Sequence, residues 1–179
     1  MAIPLQIDRV HATTAALSTA SGPLTAELVE YACVVRLHEV DCVTPGIREL
    51  HGYPATGPFS IVSLRIPTGN DADSATSLTL TPRAGMRFYQ SDLEQRARLS
   101  RDLVEIDPRM PPEGTVSFRQ QRGSRTLVFE FTARTRLLRK LTVREDRDST
   151  AMVSPSAGNG RVDILPSFMP SFDEPLNSG

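Results

Sequence analysis

Between residues 114 and 133 apolar and polar residues alternate, and this is the clearest pattern in the chain. Val116, Phe118 and Gln120 interleave with Thr115, Ser117, Arg119 and Gln121. After Arg122-Gly123-Ser124, the residues Leu127, Phe129, Phe131 and Ala133 interleave with Thr126, Val128, Glu130, Thr132 and Arg134. A period of two sends neighbouring side chains to opposite faces of a strand. The pattern therefore predicts a β-hairpin with Phe118, Phe129 and Phe131 inward and Glu130 on the wetter face. Residues 136–144 predict a third strand with Leu137, Leu141 and Val143 facing the core. Arg139 interrupts that face, and Leu137, Leu138 and Leu141 fit a helical turn equally well.

Earlier segments are bounded by turn residues. Phe59 to Ile66 lies between Gly57-Pro58 and Pro67-Thr68-Gly69, and Ser77-Leu78-Thr79-Leu80-Thr81 alternates up to Pro82. Both predict strands. Ser91-Asp92-Leu93-Glu94 has the form of a capping box and predicts a helix over 91–106, closed by Asp107-Pro108. From Thr25 to Val43 the chain is apolar-rich. Thr25 as N-cap and Glu27 in the first turn suit a helix at its start, whereas Tyr31 to Val40 also suits a buried strand. Residues 1–23, with the Thr/Ala/Ser stretch at 12–22, read as an extended arm or loop.

After Arg144 the composition changes. A charged run reaches Asp148, residues 149–160 are mainly Ser, Ala, Gly and Asn, and 161–179 contain three Pro. This places a boundary near 148, dividing the chain into a β-rich domain, 1–148, and a Pro/Ser-rich tail or docking arm, 149–179. The expected fold is α+β and mainly β: an antiparallel β-sandwich or barrel-like sheet with one or two helices and an extended C-terminal tail.

Composition narrows the function classes. No apolar run reaches the roughly 18 residues of a membrane span, and the first residues lack the basic start of a secretory signal. The only two cysteines, Cys33 and Cys42, do not make a disulfide framework. The expected location is cytoplasmic or within an intracellular or viral assembly. Nucleotide-binding glycine motifs and a Gly-x-Ser-x-Gly elbow are absent. Cys33, His38, Asp41, Cys42 and His51 have metal-ligand chemistry without zinc spacing, and no cofactor or metal is expected. Asn70 to Ser74 resembles a calcium loop but lacks its Gly and bidentate Glu.

Charge is distributed unevenly. The 20 basic residues include a single lysine, Lys140. Residues 119–144 hold eight basic residues against Glu130 alone, while the rest of the chain is acidic. On the strand reading Arg119, Arg134, Arg136, Lys140 and Arg144 share one face, which would attract an acidic protein or a polyanion. The aromatic residues fall on the other face, which disfavours base stacking. In the tail, Ile164, Leu165, Phe168, Met169 and Phe172 occur within nine residues, in a segment that repeats Pro-Ser-Phe. Such a segment suits an extended peptide whose apolar side chains fill pockets on the chain's own domain or on a neighbour, and the low-complexity spacer at 149–160 gives it the reach for a neighbour.

These features predict a non-enzymatic structural or assembly subunit. Its partners would be protein subunits of the same homo- or hetero-oligomeric assembly, with no membrane partner. Arg119, Arg134, Arg136, Lys140, Arg144, Phe168, Met169 and Phe172 are the expected partner-binding residues. A nucleic-acid-binding module using the same basic face is the first alternative. A small-molecule-binding or enzymatic β-barrel without a linear motif is the second.

Overall fold

A computed structural model describes residues 3–69, 75–97 and 114–145. In chain order the elements are α1 (Ile3–Thr19), α2 (Ala26–Cys33), β1 (His38–Val40), β2 (Ile47–Gly52), β3 (Phe59–Pro67), β4 (Ser77–Pro82), α3 (Gln90–Ala97), β5 (Thr115–Arg122), β6 (Arg125–Thr132) and β7 (Leu138–Glu145). The seven strands form an antiparallel sheet in the order β1-β2-β3-β4-β7-β6-β5. The chain is thus α+β and mainly β. Two meanders, β1–β4 and β5–β7, meet where β4 pairs with β7.

Register explains how one face becomes the core. Leu50 lies opposite Leu64, Leu64 opposite Leu78, Leu78 opposite Val143, and Val143 opposite Leu127. The next such row runs Val62, Leu80, Leu141, Phe129, Phe118. All of these side chains are buried, and α1, α2 and α3 close over them with Ile7, Val10, Leu17, Val29 and Leu93. The hairpin forms as the alternation predicts, with Gly123 at φ +60° in its turn. Phe118 meets Phe131 edge to face at 5.7 Å. The predicted β3, β4 and third strand of the second meander are also present, but a register shift puts Leu138 rather than Leu137 in the core beside Leu141 and Val143.

Other expectations change. Residues 3–19 are a helix, not an extended arm. Ile7, Val10, Thr14 and Leu17 form its buried stripe, in which threonine replaces an apolar residue. Thr14 Oγ1 donates to the Val10 carbonyl and Thr19 Oγ1 to the Ala15 carbonyl, at 2.8 Å in the second case. These bonds satisfy hydroxyls that make the segment look loop-like in sequence. Thr25 does cap α2, accepting from Leu28 N at 3.3 Å. Only His38–Val40 of the adjoining stretch is strand.

Strand β2 carries no strong apolar alternation and was not expected. Its Gly52 allows the 35–37 segment to cross closely, since a Cβ there would sit 2.7 Å from Val35 Cγ2 and 3.0 Å from the Arg36 carbonyl. Helix α3 begins at Gln90, so Ser91 lies inside it rather than at its cap. Glu94 instead accepts from the Gln90 side-chain amide at 2.6 Å. The rest of the helix expected to 106, the 70–74 loop and the tail beyond 145 lie outside the described residues.

Candidate interaction surfaces

The second sheet face contributes nothing to the buried apolar cluster. It is lined by half-buried hydroxyl side chains, including Ser63, Thr79, Thr126 and Thr142, and by two groups of charges. The first group centres on Glu49 of β2. Its carboxylate contacts His51 Nε2 at 2.9 Å, accepts from Ser63 Oγ at 3.2 Å, and lies 3.6 Å from Arg65 Nε. The His51 contact, with smaller contributions from Cys42, Ser63 and Arg65, holds the Glu49 carboxyl below its ordinary range. Nothing in the sequence singled out Glu49 or Arg65. Their meeting requires the β2–β3 register, which places the two residues opposite each other.

The second group contains the residues expected to bind partners. Arg119 and Arg144 lie exposed on this face, as the alternation predicts. Lys140 is also there, but its Nζ pairs with Glu130 Oε2 at 2.9 Å across β6 and β7. Arg134 and Arg136 do not join the face. The strands end before them, and both are exposed in the β6–β7 turn, where Arg136 adopts φ +55°. Arg139 occupies the register shift between the Phe131–Leu138 and Glu130–Lys140 pairs and is exposed. The expected single basic face is therefore divided: Arg119 and Arg144 are exposed on it, whereas Arg134, Arg136 and Arg139 are exposed at the β6–β7 turn and the register shift beside it.

Arg125 departs furthest from the charge pattern, because it is buried on the core side at 1% exposure. It donates to the Leu17 carbonyl at the end of α1, and to the Gly22 carbonyl at 2.6 Å. Its cross-strand neighbour Glu145 accepts from Leu24 N at 3.1 and 3.2 Å through its two oxygens. Together they clasp the α1–α2 connection.

A groove of about 560 Å³ opens on the helix side of the molecule. Ala12 and Ala16 of α1 form one wall, Tyr31 and Val34 at the end of α2 another, and Pro58 and Phe59 a third. The walls are fixed by polar bonds from outside the groove. Arg83 donates to the Pro54 carbonyl at 2.6 Å and the Gly57 carbonyl at 3.2 Å, holding the β2–β3 loop. Val34 ends α2 in the left-handed region at φ 50°, and Glu30 Oε1 accepts from Leu37 N at 2.7 Å. Cys33 also lines the groove, and burial pushes its thiol up to about 12. That thiol is therefore protonated and unreactive at neutral pH.

Among the described residues no group of His, Cys, Asp and Glu is arranged to hold a metal ion, and no helix is long and apolar enough to cross a membrane. The expected arm residues Phe168, Met169 and Phe172 lie outside the described residues. Comparisons with known families, with curated proteins and with solved structures find no match.

Proposed function

We propose that this chain is a non-catalytic assembly subunit that binds acidic surfaces of protein neighbours through the basic rim of its second meander. The observation that carries this reading is the set of five exposed guanidinium groups on β5, β7 and the β6–β7 turn. Within that meander Glu130 pairs with Lys140, and Glu145 accepts from Leu24 N. Guanidinium forks favour bidentate contact with carboxylates, and like-charged rims steer acidic partners. The remainder of the chain is acidic, so a second copy can supply the complementary surface. Two free thiols suit a reducing compartment, consistent with a cytoplasmic or intracellular assembly.

Nucleic acid is the weaker partner. Phe118, Phe129 and Phe131 are buried on the opposite face, so the rim lacks an aromatic platform for bases.

The test uses Arg119→Gln/Arg134→Gln/Arg136→Gln/Arg144→Gln in light scattering across a salt series. The wild-type chain should self-associate at low salt and dissociate as salt rises, and the variant should remain monomeric at every concentration of salt. A wild-type chain that is monomeric at low salt overturns the reading, as does a variant that assembles normally. Elution with strong 260 nm absorbance that the variant loses would transfer the rim to nucleic acid.

A further inference from the structure

The groove between α1, α2 and the β2–β3 loop leaves apolar side chains in water. Tyr31 is 83% exposed on its rim and Val34 is 84% exposed. Its volume of about 560 Å³ falls within the range of formed ligand sites, roughly 300–1,000 Å³. Arg83 and Glu30 hold its walls, so an occupant would enter a shaped site rather than organise one. The exposed guanidinium of Arg9 stands at its edge.

The chain itself carries a segment of matching chemistry. Ile164, Pro166, Phe168, Pro170 and Phe172 occupy every second position, the spacing that sends side chains to one side of an extended chain. Pro166 and Pro170 restrict φ to values compatible with extended or polyproline geometry, which lowers the ordering cost of docking. Segments of this kind are recognised by grooves walled with aromatic rings, and Tyr31 and Phe59 supply two here. Asp173 and Glu174 follow directly and complement Arg9.

The path to the groove is short. β7 ends at Glu145, whose carboxylate is bonded to Leu24 N immediately before α2. The groove lies at the other end of α2, an eight-residue helix about 12 Å long. Eighteen residues separate Glu145 from Ile164, enough to span up to about 60 Å. A linker that easily reaches its site keeps the attached segment at roughly millimolar effective concentration, well above that of a second molecule in dilute solution.

We propose that residues Ile164 to Glu174 occupy this groove on their own chain, with Phe168 and Phe172 against Tyr31, Val34 and Phe59, Met169 flanked by the docked rings, and the two carboxylates beside Arg9. The arm expected to reach a neighbour is thereby a self-docking segment, and the basic rim remains available to partners.

The test follows the Met169 methyl group by NMR in the full-length chain, labelled at methionine methyls and assigned through Met169→Leu. The methyl signal should lie upfield of its position in urea, because it sits against aromatic rings. It should keep that position on dilution and move in Tyr31→Ser, a substitution at a side chain too exposed to support the fold. In Phe168→Ser/Phe172→Ser it should return to the position seen in urea. A wild-type signal already at that position, or one unmoved by Tyr31→Ser, overturns the proposal. So does a shift that fades on dilution, which would place the arm on a second copy. Loss of salt-dependent assembly in the arginine variant, with the Met169 signal unchanged, would separate the rim from the groove.

Discussion

His11 on α1 sits half-buried beside the β5–β6 turn, and its Nε2 has no hydrogen-bond partner. Burial, and then the nearby Arg122 guanidinium, lower its pKa below the ordinary 6.5. The folded chain resists a proton that the unfolded chain accepts, so this site leaves stability untouched above pH 6.5. It destabilises the fold progressively as pH falls from there toward the lowered value. His11→Gln should therefore lose less melting temperature than the wild-type chain between pH 7.5 and 5.5. Equal losses in the two chains would show that His11 titrates normally. The sequence shows the histidine and the arginine, but their proximity depends on the tertiary fold, in which Arg125 beside the hairpin turn reaches the Leu17 carbonyl of α1 more than a hundred positions away.

At the scale of the element, the hairpin is the part most legible in the residues. Both its strands alternate, its turn has a glycine at positive φ, and its inward aromatics meet within one layer. Phe129 is 1% exposed, in a row that crosses five strands. Phe129→Ala should cost about 3–5 kcal/mol in denaturant unfolding, the range for removing a buried ring. A loss below about 0.5 kcal/mol would place the ring at the surface. Helix α1 is the opposite case. Its buried side includes Thr14, which bonds back to the Val10 carbonyl, and Thr13, which donates to the Ala32 carbonyl of α2, so a helical face reads as a polar loop. β2 was missed for a related reason, because Arg48, Glu49 and His51 hide the two buried positions, Leu50 and Gly52. The capping box at Ser91 failed because the helix starts one residue earlier, where Gln90 N bonds the Arg136 carbonyl at 2.9 Å.

At the scale of the whole molecule, the helices must be held to the sheet, and Arg125 with Glu145 adds polar contacts to the apolar packing. The Arg125 guanidinium meets the carbonyl end of α1, where the helix dipole favours a cation, and it also reaches Gly22. Arg125→Met keeps the volume but leaves two carbonyls without a donor. The expected cost is about 2–4 kcal/mol, with α1 amides exchanging earlier than those of the sheet. A variant as stable as the wild-type chain, with unchanged exchange in α1, would show that apolar packing alone holds the helical layer. The same residue shows why charge counting overstated the basic face. A guanidinium that adds to the positive count of residues 119–144 is consumed inside the molecule, and Lys140 pairs with Glu130.

Local periodicity in the sequence was sufficient to set the strands β3, β4, β5 and β6, the N-cap of α2 and the mainly β class. Each depends on residues a few positions apart and on which side chains can leave water together. The pairing of β4 with β7, which joins the two meanders, requires the closure of a long loop that leaves no local signature. The same holds for the Glu49–Arg65 contact, the burial of Arg125 and the groove at the end of α2. Those features arise because burying one continuous apolar face brings distant strands and helices into register. Polar groups carried into the interior must then find partners wherever the topology has placed them.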